Sequence, residues 1–482
     1  MRGDSSAHCP LPTTHSDSPI VAIATARGTA ALAVVRVSGP GAVRLVASRF
    51  SNEALAHAPG HTAHTGWIVD ADGTRVDQVV ATVFRAPRSA TGEETVEVTT
   101  HGGDAAPQAV VRVLVDAGAR PAAPGEFTQR AFLNGKLDLA QAEAVADLIH
   151  ATGRRGARAA VAQMQGRISQ AVAGVRERLV ETAALVALEL DFADEDVVFA
   201  DRADLAQRLD EADVLLAEVL SSARLGALVR DGATVVLAGR PNAGKSTLAN
   251  ALAGRERSIV SAEPGTTRDA VETEIDLDGL RVRLVDTAGL RAAADRGADA
   301  VEAEGAARAR AAVATADAVL YVADATRGLD AEEQAETARL AADHPETPVL
   351  LVANKADLLI GDPHPSLSGA VVVSARDAVV DPARLDGLRA ALLAALRADG
   401  GGPEADAASV NERHRGHLAE AQAAVHRAQA ALARGTGPGS PGDADLLALD
   451  LRDALHALGL VTGAVTADDV LAAVFSRFCI GK

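Results

Sequence analysis

The chain of 482 residues has only two cysteines, Cys9 and Cys479, one near each end. That excludes a disulfide framework and fits a reducing compartment. No apolar run approaches the roughly 20 residues that a membrane span requires. The first 19 residues lack the apolar core of a secretory signal. A cytoplasmic protein with no membrane segment is therefore expected. Positive charge is also in deficit: 47 Lys and Arg stand against 65 Asp and Glu, a formal net charge of −18. A surface that acidic disfavours indiscriminate nucleic-acid binding but leaves room for a local basic site. Lysine is scarcest of all, with only Lys136, Lys245, Lys355 and Lys482 among the 47 basic residues. Ammonium is a compact point charge and guanidinium a wide planar fork. A lysine kept in so arginine-rich a chain marks a candidate site where the fork does not fit.

What is present describes a soluble globular chain. It is 48% hydrophobic and 23% charged, and its length suggests about three domains. Residues 1–18 read as a disordered tail. Residues 19–136 alternate Val-, Ile- and Thr-rich strands, such as TVEVTTH, with amphipathic helices such as APQAVVRVLVDAGA, an α+β pattern. Residues 137–225 are rich in Ala, Leu, Glu and Arg at helical spacing. From 226 to 399 strands and helices alternate, which predicts a parallel sheet wrapped by helices. Residues 400–482 return to helices after a Gly-rich break. The expected fold is α/β and multidomain: an N-terminal α+β domain and a discontinuous helical domain, the latter interrupted by a P-loop domain.

The strand TVVLAG runs into Gly239-Arg-Pro-Asn242-Ala243-Gly244-Lys245-Ser246-Thr247 and a helix. This is G-x-x-x-x-G-K-S in its required context. Its backbone N–H groups can cradle phosphates at a helix N-terminus. Lys245 is expected on the β- and γ-phosphates and Ser246 on Mg²⁺. RLVDTAGL supplies Asp286, Thr287, Ala288 and Gly289: a carboxylate that can hold Mg²⁺ through water, and an N–H that can sense the γ-phosphate. LLVANKAD supplies Asn354, Lys355, Ala356 and Asp357. A carboxylate at Asp357 can accept from N1–H and the 2-amino group of guanine, a donor pair that adenine lacks. VVVSAR adds Ser374, Ala375 and Arg376 as a loop that can offer an N–H to guanine O6. Between the first two motifs, Ser261-Ala262-Glu263-Pro264-Gly265-Thr266-Thr267 reads as a switch loop whose threonine completes the Mg²⁺ shell, assigned to Thr267. The substrate is thus expected to be GTP.

These ordered motifs resemble the translation-factor-related GTPases over about 165 residues. The position where Ras-like enzymes carry a water-orienting glutamine is Leu290, so another residue must orient the water. The N-terminal segments TGEETVEVTTHGG and PGEFTQRAFLNGKLDLAQAEA and the terminal FCIGK resemble the MnmE (TrmE) family of tRNA-modifying GTPases, from about Ile20 to Lys482. That resemblance implies a homodimer working with the flavoprotein GidA (MnmG), which alone carries FAD, in a heterotetramer-type complex. It implies addition of a carboxymethylaminomethyl or aminomethyl group to carbon 5 of the wobble uridine (position 34) of tRNA. It also implies a tetrahydrofolate donor (5,10-methylene or 5-formyl) bound by Arg36, Glu97, Lys136 and Lys482 in a folate-binding and dimerisation N-terminal domain. The family's GTPase is K⁺-stimulated through G-domain pairing. The matching K⁺ positions are Asn242, Ser261, Glu263 and Thr266, and the water-orienting residue falls on Glu302, with Glu304 a rival because RAAADRGADA is long here. Cys479 reads either as a reactive thiolate near the reaction or as a small buried hydrophobe. The competing function is a ribosome-assembly GTPase switch, which would have no use for the folate-type segments or for FCIGK.

Overall fold

The computed structural model describes residues 18–151, 153–191, 201–254, 272–286, 311–396, 410–434, 441–465, 471, 474–476 and 478–481. The first half of the chain runs β1 (Ile20–Ile23), β2 (Leu32–Ser38), α1 (Ala42–Ala47), β3 (Thr62–Val69), β4 (Arg75–Phe84), β5 (Thr95–His101), α2 (Ala105–Asp116) and β6 (Arg120–Pro121). Helices follow: α3 (Glu126–Leu133), α4 (Leu139–His150), α5 (Arg154–Met164), α6 (Arg167–Asp191) and α7 (Arg202–Asp231). Then come β7 (Ala233–Ala238), α8 (Lys245–Ala253), β8 (Glu272–Leu277), β9 (Leu280–Asp286), β10 (Ala318–Asp324), α9 (Ala331–Asp343), β11 (Val349–Asn354) and β12 (Val371–Val372). Four helices complete the described chain: α10 (Ala375–Ala378), α11 (Asp386–Leu396), α12 (Glu412–Arg434) and α13 (Pro441–Thr462). The chain forms two compact units, one of Met1–Ala146, Met164–Ala212 and Glu420–Lys482, the other of Asp147–Gln163 and Asp213–Ala419.

In the first unit a six-stranded sheet has the order β3-β4-β5-β2-β1-β6. Side chains alternate along each strand, so Val35, Val37, Val96 and Val98 pack inward with Val43 and Val46 of α1 and Val110 and Leu114 of α2. The same alternation turns Arg36, Glu97 and Thr99 to the opposite face. In register, Arg36 stands opposite Glu97. Helices from both ends of the chain also meet in this unit. α6 packs on α13, and Arg427 of α12 bonds Asp450 and Asp453 of α13 at 2.7 and 3.1 Å. Phe475 and Phe478 share a core with Leu139 and Ala142 of α4. The backbone of Gly481 lies against Ile23 and Ala24 at the end of β1, with no room for a Cβ.

The second unit holds the other six-stranded sheet, β12-β11-β10-β7-β9-β8. Five strands are parallel, as their near-continuous apolar runs require. β8 departs from the all-parallel expectation: it pairs antiparallel with β9. The cause is local. Asp278-Gly279 adopts φ 55° and 82°, the left-handed pair of a two-residue hairpin turn, which an Asp-Gly dipeptide favours. The N-terminus of α5 packs on that turn. Arg155 N–H donates to Gly279 O at 3.3 Å, and its guanidinium bonds Asp278 Oδ2 at 2.8 Å. Arg155, in the short basic cluster Arg154-Arg155-Arg158, is therefore occupied within the protein. α7 continues to Asp231, several residues past the change in composition near 225, and delivers the chain directly to β7.

Candidate functional site

The nucleotide motifs gather at the carboxyl ends of β7, β9, β10 and β11, the edge of an open parallel sheet where ligands bind. β7 ends at Ala238, and Gly239 turns the chain at φ 122° with its α-carbon against Val322 O, where a Cβ would overlap. Asn242 (φ 66°) and Gly244 (φ 95°) take left-handed conformations, and Gly244 is the N-cap of α8. The Cβ that Gly244 lacks would collide with Asn354 Nδ2. Only glycine allows the phosphate loop and the Asn354 side chain to sit this close.

Lys245 is 4% exposed, and its Nζ donates to Gly239 O and Arg240 O at 2.7 Å each. The ammonium thus bridges the carbonyls of its own loop. Ser246 Oγ donates to Asp286 Oδ2 at 2.6 Å. A hydroxyl and a carboxylate oxygen in contact at the mouth of a phosphate loop are the hard oxygen donors that Mg²⁺ prefers, so these two residues fit that ion. Asn354, 2% exposed, joins two loops. Its Nδ2 donates to Ala243 O at 2.9 Å and its Oδ1 accepts from Ala375 N–H at 2.9 Å. Ser374 Oγ donates to Asp357 Oδ1 at 2.9 Å and caps α10 by accepting from Asp377 N–H at 3.1 Å. A cavity of ≈ 380 Å³ opens beside these residues, lined by Ala356, Asp357, Val372, Val373, Ser374, Asp377 and Arg384.

Asp357 is not buried; it is exposed in this structure. A penalty for an unpaired buried carboxylate can arise only when a base covers it. Asn242, Ala243, Gly244, Lys245, Ser246, Asp286, Asn354, Lys355, Ala356, Asp357, Ser374 and Ala375 all belong to the loops and helix starts of this edge; Asn242, Ser246 and Asp357 are exposed there, as are Thr247 and Arg376. Ser261, Ala262, Glu263, Pro264, Gly265, Thr266, Thr267, Thr287, Ala288, Gly289, Glu302 and Glu304 lie outside the described residues. Asp324 was missed. It ends β10 and bonds Lys355 Nζ at 2.7 Å. The available signal was a fully apolar strand closing on a carboxylate at the ligand edge of a parallel sheet.

In the first unit, Arg36 Nε and Nη2 both donate to Glu97 Oε1, at 3.0 and 2.8 Å. The guanidinium also lies 5.7 Å over the Phe127 ring, a cation–π contact. Glu97 Oε2 accepts no hydrogen bond from the described residues. Ser38, two residues beyond Arg36, bonds Thr91 and Glu93 at 2.6 and 3.2 Å. The 91–92 turn in turn touches Asn134 and Lys136. Lys136 itself is exposed, with Nζ 3.3 Å from Pro87 O. Lys482 lies outside the described residues. Cys479 is exposed, which removes the buried-hydrophobe alternative.

A family model described as the MnmE helical domain matches residues 139–479, and one described as the GTP-binding protein TrmE N-terminus matches residues 19–136. The curated tRNA modification GTPase MnmE of Salinibacter ruber is 49% identical over 465 residues, 96% of this chain and 99% of that protein. The chain belongs to the MnmE family of GTPases. Among further family members, that of Chlorobium chlorochromatii is 42% identical over 477 residues, 97% of this chain and 98% of the relative. That of Cytophaga hutchinsonii is 39% identical over 473 residues. No helix among the described residues is long and apolar enough to cross a membrane.

Proposed function

We propose that this protein hydrolyses GTP to drive modification of tRNA at carbon 5 of the wobble uridine. In this reading it acts as a cytoplasmic homodimer with a GidA-type flavoprotein and draws a one-carbon unit from a tetrahydrofolate. The observation that carries the GTPase part is the convergence of Lys245, the Ser246–Asp286 pair and the Asn354–Asp357 loop on one sheet edge. Full-length family membership supports the tRNA part.

The chemistry follows from these groups. The N–H groups at the start of α8 and the Lys245 ammonium receive the phosphates. Lys245 exchanges its two loop carbonyls for phosphate oxygens, so its charge never sits unpaired. Ser246 Oγ and Asp286 are the groups that would hold Mg²⁺, which supplies charge neutralisation on the β- and γ-phosphates. Thr267 would complete that set, and Asp357 accepts from the guanine edge. Glu302 orients the attacking water. Asn242, Ser261, Glu263 and Thr266 would offer oxygens to K⁺, which would supply positive charge against that developing between the phosphates.

The Arg36–Glu97 pair suits the folate assignment. Glu97 Oε2 is left to accept from a pterin-type donor edge, while Arg36 and Lys136 offer cations to carboxylates. The closeness of Gly481 to Ile23, itself paired opposite Val35, supports a part for Lys482. Mass spectrometry of wobble nucleosides from a strain lacking the protein tests the whole reading. Loss of the carbon-5 modification is expected, and an unchanged nucleoside profile would refute it.

A further inference from the structure

Lys355 is the first residue after β11, and the inference drawn from it rests on reading the Asn354–Asp357 loop as the guanine-recognition loop. It holds φ 68°, a left-handed conformation that a non-glycine residue adopts only when its surroundings enforce it. Two strand ends enforce it here. Asp324 ends β10 and stands in parallel register with Asn354 at the end of β11. Ala325 N–H donates to Asn354 O at 2.8 Å. The two oxygens of the Asp324 carboxylate are divided between tasks. Oδ1 accepts from Thr326 N–H at 3.0 Å and from Thr326 Oγ1 at 2.7 Å. Oδ2 accepts from Lys355 Nζ at 2.7 Å. The first oxygen fixes the carboxylate to its own turn, and the second is committed to the ammonium alone. Burial opposes the charged form of Asp324, but the bonds from Lys355 and Thr326 outweigh it and hold the carboxyl below its ordinary value. The pair is partly exposed, at 31% for the Lys355 side chain and 19% for Asp324, so its ligand-facing side stays open.

We infer that Asp324 is a positioning residue for guanine-nucleotide binding: it aims Lys355 along the base site before nucleotide arrives. A lysine side chain left to itself samples many rotamers, and ordering it on binding would weaken affinity. The backbone bonds already tie β10 to β11. The side-chain pair is therefore not required to join the strands, and its separable effect is on where the ammonium points.

The test uses the full-length protein, a fluorescent guanine nucleotide titration for GTP and GDP, turnover at saturating GTP, and the melting temperature without nucleotide. The variants are Asp324→Ala, Lys355→Ala and the double variant. Asp324→Ala is expected to weaken GTP and GDP alike by about tenfold, the size of a charge-assisted hydrogen bond, with kcat within about twofold. The double variant is expected to bind no more weakly than Lys355→Ala alone, because two residues acting through one another do not add. Asp324→Asn keeps the side-chain shape and carries the same comparison if the alanine variant fails to fold. Two results bear on different claims. Unchanged affinity in Lys355→Ala would sink the recognition-loop reading itself. Weakened affinity in Lys355→Ala with normal affinity in Asp324→Ala, or losses that multiply in the double variant, would overturn the positioning role and leave the loop reading intact.

Discussion

Replacing Asn354 with alanine gives a direct check on how the site is assembled. The side chain is 2% exposed and spends both ends on backbone: Nδ2 on Ala243 O and Oδ1 on Ala375 N–H, each at 2.9 Å. Alanine strands a buried carbonyl in the phosphate loop and a buried N–H in the loop proposed to meet guanine. Each stranded group costs about 1–3 kcal/mol, so the pair is worth about 2–6 kcal/mol before water relaxes the site. For a domain of this size, 1 kcal/mol moves the melting temperature by roughly 2–4 °C. A shift of at least about 4 °C is expected by differential scanning fluorimetry, together with weaker GDP binding. Asn354→Asp refines the argument. It keeps an acceptor for Ala375 N–H but sets a carboxylate oxygen against Ala243 O, so it should be no better than alanine. A melting shift under about 2 °C with near-normal GDP affinity would show that the two bonds carry little energy, and the account of loop assembly would be wrong.

Asp357→Asn should move nucleotide preference from guanine towards xanthine, measured by competition binding, and retained GTP selectivity would remove Asp357 from base recognition. Hydrolysis should be much faster in K⁺ than in Na⁺ at equal ionic strength; equal rates would discard the monovalent-cation proposal. Glu302→Ala should slow turnover while sparing GTP binding, whereas near-normal turnover would direct attention to Glu304. Glu126 provides a pH test. It is 3% exposed, and burial alone would raise its pKa. Bonds from Arg120 and Ala123 N–H, with the charges of Arg120 and Arg130, outweigh burial and hold it below its ordinary 4.5. A depressed carboxyl stabilises the fold fully above its unfolded value and loses that contribution as pH falls through the folded one. Urea melts at stepped pH should therefore lose stability below about 4.5, and Glu126→Gln should flatten that acid limb. An identical acid limb in both would exclude the network.

Much of the candidate nucleotide site was legible in the sequence because its parts are contiguous. A phosphate cradle is one backbone turn, so Gly239, Gly244 and Lys245 must fall within seven residues, and the Asn354–Asp357 loop is likewise a single run. Arg36 and Glu97 were named only through the family resemblance, and nothing in either strand alone showed that they stand opposite each other. Local spacing could not say which distant groups meet. Ser246 finds Asp286 across 40 positions, Lys355 finds Asp324 across 31, and Arg36 finds Glu97 across 61. These pairs depend on the order and register of strands, which the summed packing of a whole sheet selects rather than any one segment. The same holds for burial: Asp357 and Cys479 turned out exposed because solvent access depends on what the rest of the chain covers. The sequence by itself determined which chemistry the protein carries, since that resides in residue types at fixed short spacing. Tertiary structure alone decided which side chains hold the candidate site residues in place, since those contacts come from elements far apart in the chain.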